Sequence, residues 1–153
     1  MAKVDTIFTG SIPTLYDKYL GPMIFQPYAD DMAQRLSGLK QGRVLEIAAG
    51  TGIVTQALIK TLPEAVSIVA TDLNQAMIDV AAVKDTANRV SWQQVDAQTL
   101  PFPDASFDAV VCQFGVMFFP DRPKAFREAR RVLKPGGRFL CLEFSEVEMP
   151  LLD

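Results

Sequence analysis

Short apolar runs rich in β-branched residues alternate with helix-like segments along most of this chain of 153 residues. Five of these runs are predicted to be strands, over residues 43–48, 66–71, 89–95, 107–112 and 138–144. Most of them are apolar at neighbouring positions, which is typical of strands buried on both faces of a parallel sheet. Because parallel strands need crossover connections, the alternation predicts an α/β protein with a mostly parallel sheet.

Helices are predicted before the first strand and in three of the gaps between strands, over residues 25–36, 53–61, 74–83 and 121–133. Residues 1–24 are predicted to be irregular because glycines and prolines interrupt them, and residues 135–137, which read Pro-Gly-Gly, are predicted to form a turn. Asn74 and Asp121 stand at the start of two of these segments, where a short polar side chain can cap the first turn. The spacing of Phe126, Ala129 and Leu133 predicts that these three side chains form the inner face of the last helix.

The composition is that of an ordinary globular protein, with 49% hydrophobic and 22% charged residues and a net charge of −3. No global basic field is present to attract nucleic acid, so no nucleic-acid partner is expected. No uncharged apolar run approaches the roughly 18 residues of a membrane-spanning helix, and the first residues lack the apolar core of a signal peptide. The chain is therefore expected to be cytoplasmic, without an integral membrane segment.

The chain contains no histidine and only two cysteines, Cys112 and Cys141. Histidine-dependent nucleophiles and histidine metal ligands are thereby excluded, and two cysteines are too few for a thiolate zinc site or a disulfide framework. Apolar neighbours surround both cysteines, which predicts reduced thiols in the core and fits a cytoplasmic protein. No metal site is expected.

Residues 46–52, between the first strand and the following helix, read Glu-Ile-Ala-Ala-Gly-Thr-Gly. Gly50 and Gly52 would let the backbone approach a ligand closely, and the helix behind them offers free N–H groups. By itself, such a glycine pair is a weak signal, and a plain tight turn is the alternative interpretation.

The first three predicted strands each carry an acidic residue at or near the carboxyl end: Glu46, Asp72 and Asp96. A carboxylate 22 residues after Gly50 can accept hydrogen bonds from ribose hydroxyls, although Asp72 could instead cap a helix. Three carboxylates in one crevice repel a pyrophosphate. They suit a ligand that carries a ribose, an exocyclic amine and a cationic centre.

This arrangement resembles the class I S-adenosylmethionine-dependent methyltransferases, in particular the small-molecule branch that includes the ubiquinone and menaquinone methyltransferases. The acidic, glycine-rich loop of that family matches residues 46–52, its second-strand acid matches Asp72, and its third-strand signature matches Asp96-Ala97. Further matches lie in residues 100–110 and 133–137, so that the resemblance covers about residues 16–145.

The resemblance implies S-adenosyl-L-methionine as the cofactor. The residues that it implies as cofactor contacts are Tyr16, Glu46, Ala48, Gly50, Gly52, Asp72, Leu73, Met77, Asp96, Ala97, Gln113 and Phe114. The glycines would wrap the methionine part, and Glu46 would organise its amino group. Asp72 would hold the ribose hydroxyls, while Asp96 and Ala97 would meet the adenine.

The remaining contacts are implied less specifically. Leu73 and Met77 would lie on the adenine side, Gln113 at the methionine end, Phe114 beside the sulfonium and Tyr16 over the cofactor. For the last three residues, turn polarity or core packing explains the residue type about equally well.

Ala48 stands where the family has the first glycine of its loop. The extra methyl group is expected to be tolerated, on the premise that the backbone there is strand-like.

The resemblance also implies a Rossmann-like sheet of strand order 3-2-1-4-5 flanked by helices, in one domain over residues 1–153. Within it, residues 1–42 would form an N-terminal helical cap region and residues 43–145 the Rossmann-like core. The family sheet has two further strands, so the chain is expected to be truncated at its C-terminus. The fifth strand would then be an uncovered edge, next to an apolar tail at 149–152, and a homodimer through this edge is expected.

The implied reaction is SN2 transfer of a methyl group from a sulfonium to a small-molecule acceptor, without a metal. No catalytic residue is assigned by the sequence. One alternative is a module that binds S-adenosylmethionine without turnover. A nicotinamide-dependent oxidoreductase is a weaker alternative, because its glycine motif requires Gly at position 55, where this chain has Thr55.

Overall fold

A computed structural model describes residues 15–144 of the chain. The strands, in chain order, are β1 (Gly42–Glu46), β2 (Val66–Asp72), β3 (Val90–Gln94), β4 (Phe107–Gln113) and β5 (Leu133–Leu142). The α-helices are α1 (Gln26–Arg35), α2 (Ile53–Thr61), α3 (Gln75–Val83) and α4 (Arg122–Val132). A π-helix (Tyr16–Phe25) leads directly into α1, and a short 3₁₀ helix (Val116–Phe118) follows β4.

All five strands pair in parallel in the order β3-β2-β1-β4-β5, which confirms the predicted α/β sheet and its strand order. β1 lies at the centre: Val44 faces Ile68 of β2, and Leu45 faces Val110 of β4. Consecutive residues of a strand point to opposite faces, so each face of β1 packs under a different layer of helices.

One apolar cluster lies between the sheet and helices α1 and α2, and the other lies between the sheet and α4. Val44, Ile68 and Leu58 are fully buried in the first cluster. Leu45 and Val110 are fully buried in the second. Burying such a side chain contributes about 1.5–3 kcal/mol, so this double-sided burial explains why the strands are apolar at consecutive positions.

The segment before α1 differs from the prediction. Residues 1–24 were expected to be irregular because of their glycines and prolines, but Tyr16–Phe25 forms a π-helix. The breakers at 21 and 22 disfavour α-helical pairing, whereas the observed turn is the wider i→i+5 form.

β5 begins five residues before the predicted strand. Leu133 pairs with Phe107, and the register resumes with Arg138 opposite Ala109. The predicted turn at 135–137 is therefore part of a bulge inside the strand, where Gly136 has a φ of +79° that favours glycine. The strand ends at Leu142 rather than at residue 144.

The helix caps follow the prediction. Asn74 Oδ1 accepts from the backbone N–H of Ala76 at 2.9 Å, and Asp121 Oδ1 accepts from the N–H of Lys124 at 3.0 Å. Both bonds satisfy a donor that an α-helix leaves free in its first turn.

The inner face of α4 is rotated from the predicted one. Its buried residues are Ala125, Ala129 and Val132, whereas Phe126 is 41% exposed. Small residues let the helix lie close to the sheet, so the large ring of Phe126 stays at the rim against Phe139, with ring centroids 5.8 Å apart.

The two cysteines are register partners on β4 and β5, but only one of them is a core residue. Cys112 is buried and Cys141 is exposed, so the prediction of two core thiols is wrong for Cys141. The reason is its strand: β5 is the last strand of the sheet formed by the described residues.

Arg131 on α4 fastens the loop between β3 and β4. Its guanidinium donates to the backbone oxygens of Leu100 at 2.9 Å and Phe102 at 2.8 Å, and to the carboxylates of Glu128 and Asp104, both at 2.8 Å. Glu128 also accepts from the N–H of Leu100 at 2.8 Å. These bonds hold the segment that follows Asp96.

No helix in residues 15–144 is long and apolar enough to cross a membrane.

Replacing Arg131 with Met is expected to lower the free energy of unfolding by about 2 kcal/mol, because two carbonyls and two carboxylates lose a charged donor. Arg131→Lys should keep only part of this free energy, since the lysine ammonium lacks the planar, forked set of N–H donors of a guanidinium. Chemical denaturation measures both variants. The matched control is Arg130→Met on the exposed side of the same helix; equal effects at the two positions would contradict the assignment.

Candidate functional site

A cavity of about 500 Å³ opens at the carboxyl ends of the central strands. Among its lining residues are Glu46, Ala48, Gly50, Asp72, Leu73, Met77, Asp96, Ala97, Gln113 and Phe114. These are all the predicted cofactor contacts except two: Gly52 does not line the cavity, and the side chain of Tyr16 lies outside the described part of the structure. The sequence stretches from four separate strands therefore meet at one place, and their roles there stay predictions.

The glycine-rich loop has a left-handed backbone at both glycines, with φ of +57° at Gly50 and +85° at Gly52. A Cβ at Gly50 would meet nothing within 4 Å, so that glycine leaves open space beside the cavity. A Cβ at Gly52 would lie 3.0 Å from the Cβ of Ala81 and 3.3 Å from the ring of Trp92. Gly52 thus lets α2 begin close to α3 and β3, and this packing explains why it stands behind the cavity.

Asp72 connects the end of β2 to the glycine-rich loop. Its Oδ2 accepts from the N–H of Gly50, and its Oδ1 accepts from the N–H of Asn74, both at 2.8 Å. The cap of α3 is Asn74, so the helix-capping reading of Asp72 is not what the structure shows. Asp72 also lines the cavity, and a carboxylate oxygen can accept more than one hydrogen bond.

Asp96 and Ala97 lie in a tight turn after β3. Asp96 Oδ1 accepts from the N–H of Gln98 at 2.8 Å, which fixes the carboxylate at the cavity wall. Gln98 also lines the cavity, and its Oε1 accepts from the N–H of Asp121 at 2.8 Å. The sequence analysis missed Gln98, because the bond that positions it comes from a residue 23 positions away.

Glu46 is the most deeply buried acid of the site, with 2% of its surface exposed. The hydroxyl of Thr55 on α2 donates to its Oε2 at 2.5 Å, and the hydroxyl of Thr71 donates to its backbone oxygen at 2.9 Å. Burial raises the pKa of Glu46 to about 8; the Thr55 bond opposes this shift, and the charge of Asp72 adds to it. The carboxyl group is therefore predominantly neutral at pH 7 before a cation approaches.

Two further polar atoms in the lining are buried and, among the described residues, have no hydrogen-bond partner. They are Oγ1 of Thr51 and Oε1 of Gln113. The Nε2 of Gln113 donates to the backbone oxygen of Phe25 at 3.1 Å, so its amide oxygen is turned away from that bond. Buried polar atoms are normally paired, and both atoms can accept a bond from a ligand donor.

The lining contains three acids, Glu46, Asp72 and Asp96, and no lysine or arginine among the described residues. Such a cavity attracts a cationic or hydroxyl-rich ligand and repels a polyphosphate.

Aromatic rings close the end of the cavity nearest β4. Phe114 is the centre of this group: its ring centroid lies 5.1 Å from that of Phe25, 5.6 Å from Tyr28 and 4.4 Å from the stacked ring of Phe144. Phe114 has a φ of +55°, an uncommon conformation for a large side chain. The ring both lines the cavity and packs against other rings, so its two sequence-based interpretations are compatible.

The backbone at Ala48 corrects the sequence-based expectation. Ala48 has a φ of +55°, so it is left-handed rather than strand-like, and β1 ends at Glu46. A non-glycine residue in this region costs roughly 1–2 kcal/mol. Gly115, after β4, lies so close to the loop at this point that a Cβ on it would lie 2.4 Å from the Cβ of Ala48.

Gly115→Ala is expected to destabilise the protein by about 1–3 kcal/mol, because the new methyl group overlaps Ala48 and lies 3.0 Å from Sγ of Cys112. Ala48→Gly should stabilise it by up to about 1 kcal/mol, since the left-handed strain is relieved. In the double variant the cost of Gly115→Ala should shrink. Thermal denaturation of the four proteins measures the coupling, and strictly additive effects would contradict the contact.

Comparisons with known proteins identify the family of this chain. The family model of the ubiE/COQ5 methyltransferase family matches residues 1–153. Among curated relatives, the ubiquinone/menaquinone biosynthesis C-methyltransferase UbiE of Bartonella henselae is 43% identical over 98% of this chain. The chain spans 61% of the length of that relative.

Solved structures share the fold. A protein of Methanococcus maripaludis, assigned as an S-adenosyl-L-methionine-dependent methyltransferase, superposes with a TM-score of 0.72 at 28% identity, over 85% of this chain and 59% of that one. The [4+2]-cyclase SpnF superposes with a TM-score of 0.63 at 30% identity, over 72% of this chain and 42% of that one.

Proposed function

This chain belongs to the ubiE/COQ5 methyltransferase family, and from that premise we propose that it binds S-adenosyl-L-methionine and transfers its methyl group to a small-molecule acceptor. The observation that carries the proposal is the cavity at the strand ends, where three acids and no basic side chain of the described residues line the wall. When bound, the cofactor would supply a methyl group on a sulfonium; SN2 attack on that carbon would form the bond to the acceptor as the carbon–sulfur bond breaks and the thioether leaves.

The described residues fit such a cofactor. Three hydrogen-bond acceptors of the lining match an ammonium group: the Glu46 carboxyl group and the oxygens of Thr51 and Gln113 that have no partner among the described residues. Asp72 would hold the ribose hydroxyls, next to the loop whose N–H it already binds. Asp96 would face the adenine amine.

The remaining predicted contacts complete the proposal. The N–H of Ala97 would meet an adenine ring nitrogen, Leu73 and Met77 would flank the adenine, and Gly50 and Gly52 would shape the loop around the methionine part. Ala48 would contact the methionine part from the same loop, and Tyr16 would lie over the cofactor.

Catalysis would come mostly from positioning and exclusion of water, because a sulfonium is already a good leaving system. The rings of Phe25, Phe114 and Phe118 line the cavity and would remove water from the reacting atoms. An aromatic face also attracts a cation, which would hold the sulfonium near Phe114. We assign no general base.

For the acceptor, we propose a carbon atom of a ubiquinone or menaquinone biosynthesis intermediate. Two observations support it: the name of the Bartonella henselae relative, and the aromatic end of the cavity, which suits an apolar, planar acceptor. A screen of methyl acceptors with labelled cofactor, using quinone precursors against phenol and amine controls, tests this proposal. Methylation of an oxygen or nitrogen acceptor in preference to carbon would contradict it.

A second candidate is binding of the cofactor without methyl transfer. It is supported by the [4+2]-cyclase SpnF, which has this fold and is named for another reaction. Turnover in the acceptor screen separates the two functions. A nicotinamide-dependent oxidoreductase loses support, because position 55 is a threonine that binds Glu46.

Asp72→Ala is expected to weaken binding of S-adenosylhomocysteine by about 1–3 kcal/mol, a factor of roughly 5 to 150, because the ribose would lose bonds to a charged group. Isothermal titration calorimetry measures the affinity, with NADH as the comparison ligand. Asp79→Ala on the exposed face of α3 is the matched control. Unchanged affinity in Asp72→Ala, or tighter binding of NADH, would contradict the assignment.

We also propose a homodimer through β5. No strand among residues 15–144 pairs with the outer edge of β5, and a bare edge invites pairing with another chain. Sedimentation velocity is expected to show a sedimentation coefficient that rises with concentration. Cys141→Lys places a charge on this exposed edge and should lower the association. A concentration-independent monomer would contradict the proposal. The apolar tail at 149–152 lies outside the described residues.

Three further aspects are proposed. One domain would span residues 1–153, with a cap region over 1–42 and a core over 43–145; packing of buried Ala29 and Ala33 of α1 into the same cluster as α2 supports this.

The net charge of −3 argues against a nucleic-acid partner. A cytoplasmic location is supported by the two neighbouring cysteines, which are both free thiols.

A further inference from the structure

The buried pair of Glu46 and Thr55 has a geometry that the proposed function does not explain. Thr55 is fully buried, and it is the third residue of α2. Its hydroxyl donates to Oε2 of Glu46 at 2.5 Å. Among residues 15–144, this is the hydrogen bond that the carboxyl group receives, and its donor is uncharged. Oε2 of Glu46 is thus fixed by a bond from helix α2, while Glu46 itself lines the cavity.

The charges around Glu46 favour its neutral form. Asp72 faces it from β2 as a like charge, and the buried thiol of Cys112 lies near it on β4. From α2 it meets Thr55, and the described part of the cavity wall contains no lysine or arginine. A carboxylate buried without a cation is costly, so the group holds a proton until a cation comes. Its pKa of about 8 agrees with this view.

We propose that Thr55 is a positioning residue, which holds the neutral Glu46 carboxyl group in place, and that Glu46 releases its proton to solvent when the ammonium group of the cofactor docks against it. The O–H bond of the carboxyl group breaks, the proton passes to water, and the carboxylate accepts an N–H from the ammonium. The inference rests on the proposed function, because it needs a ligand with an amino-acid part.

The sign of the pH dependence follows from this exchange. Below about pH 8 the carboxyl group is mostly protonated, and binding of the ammonium must remove that proton. Affinity for an ammonium ligand therefore rises with pH, by up to about tenfold per unit, until about pH 8, where deprotonation of the ligand's own amino group begins to oppose the rise. A ligand without an amino group should show no such slope.

Isothermal titration calorimetry in two buffers of different ionisation enthalpy counts the protons released. The probes are S-adenosylhomocysteine and its desamino analogue, in which hydrogen replaces the amino group. Close to one proton should be released per S-adenosylhomocysteine at pH 6.5, with a clearly lower count at pH 9 where the ligand's amine itself takes up protons, and none should be released at either pH for the analogue. Equal release for both probes, or none for either, overturns the proposal. If neither probe binds, the proposed function fails as well.

Variants separate positioning from folding. Thr55→Val should weaken S-adenosylhomocysteine about tenfold and move the midpoint of the pH dependence upward, because the bond that lowers the Glu46 pKa is lost; the analogue should bind as before. Thr55→Ser keeps the hydroxyl, so it should show the parent's affinity for S-adenosylhomocysteine and the parent's midpoint. Glu46→Gln should abolish proton release. The matched control is Thr71→Val, which removes a buried hydroxyl bound to the backbone oxygen of Glu46.

Thr71→Val should leave the midpoint and the ratio of the two affinities unchanged. If Thr55→Val also leaves them unchanged, or if Thr71→Val moves them equally, Thr55 is not a positioning residue. Should Thr55→Val fail to fold, the proton count in the parent protein and in Glu46→Gln still decides whether Glu46 exchanges its proton.

Discussion

The parallel pairing of β1 between β2 and β4 is the constraint on which the rest of the molecule depends. Parallel strands end at the same edge, so the loops after residues 46, 72 and 113 come together although they are far apart in the chain. One hydrogen bond and one close contact then fix the loops to one another: Asp72 accepts from the N–H of Gly50, and Gly115 lies against Ala48. The shape of the cavity is therefore a property of the sheet register.

The sheet and much of the cavity wall could be predicted from the sequence, because burial on both faces leaves an unmistakable apolar pattern. The strand order and the clustering of Glu46, Asp72 and Asp96 follow from that pattern and from the family resemblance. Features that cost conformational energy were harder to predict from the sequence. Ala48 and Phe114 adopt left-handed backbones that nothing in their residue type indicates, since tertiary contacts impose them.

The other differences between the sequence-based prediction and the structure come from contacts between segments that are distant in the chain. Phe126 carries a large apolar ring at a helical spacing, yet small alanines decide how close α4 lies to the sheet. The bulge in β5 looks like a turn in the sequence, because Pro135-Gly136-Gly137 is typical of turns; pairing on both sides with β4 makes it part of a strand. Gln98 and Thr55 became visible as site residues only through their hydrogen-bond partners.

The contrast between the two cysteines has a practical consequence. Cys112 is buried and its pKa is raised by its neighbour, whereas Cys141 is exposed and its pKa is lowered by the bond from Cys112. The thiolate is the reactive form of cysteine, so a thiol-directed dye will react at Cys141 first. The protein thus has a natural labelling position on β5, where a fluorophore would report contacts at the sheet edge without an engineered cysteine.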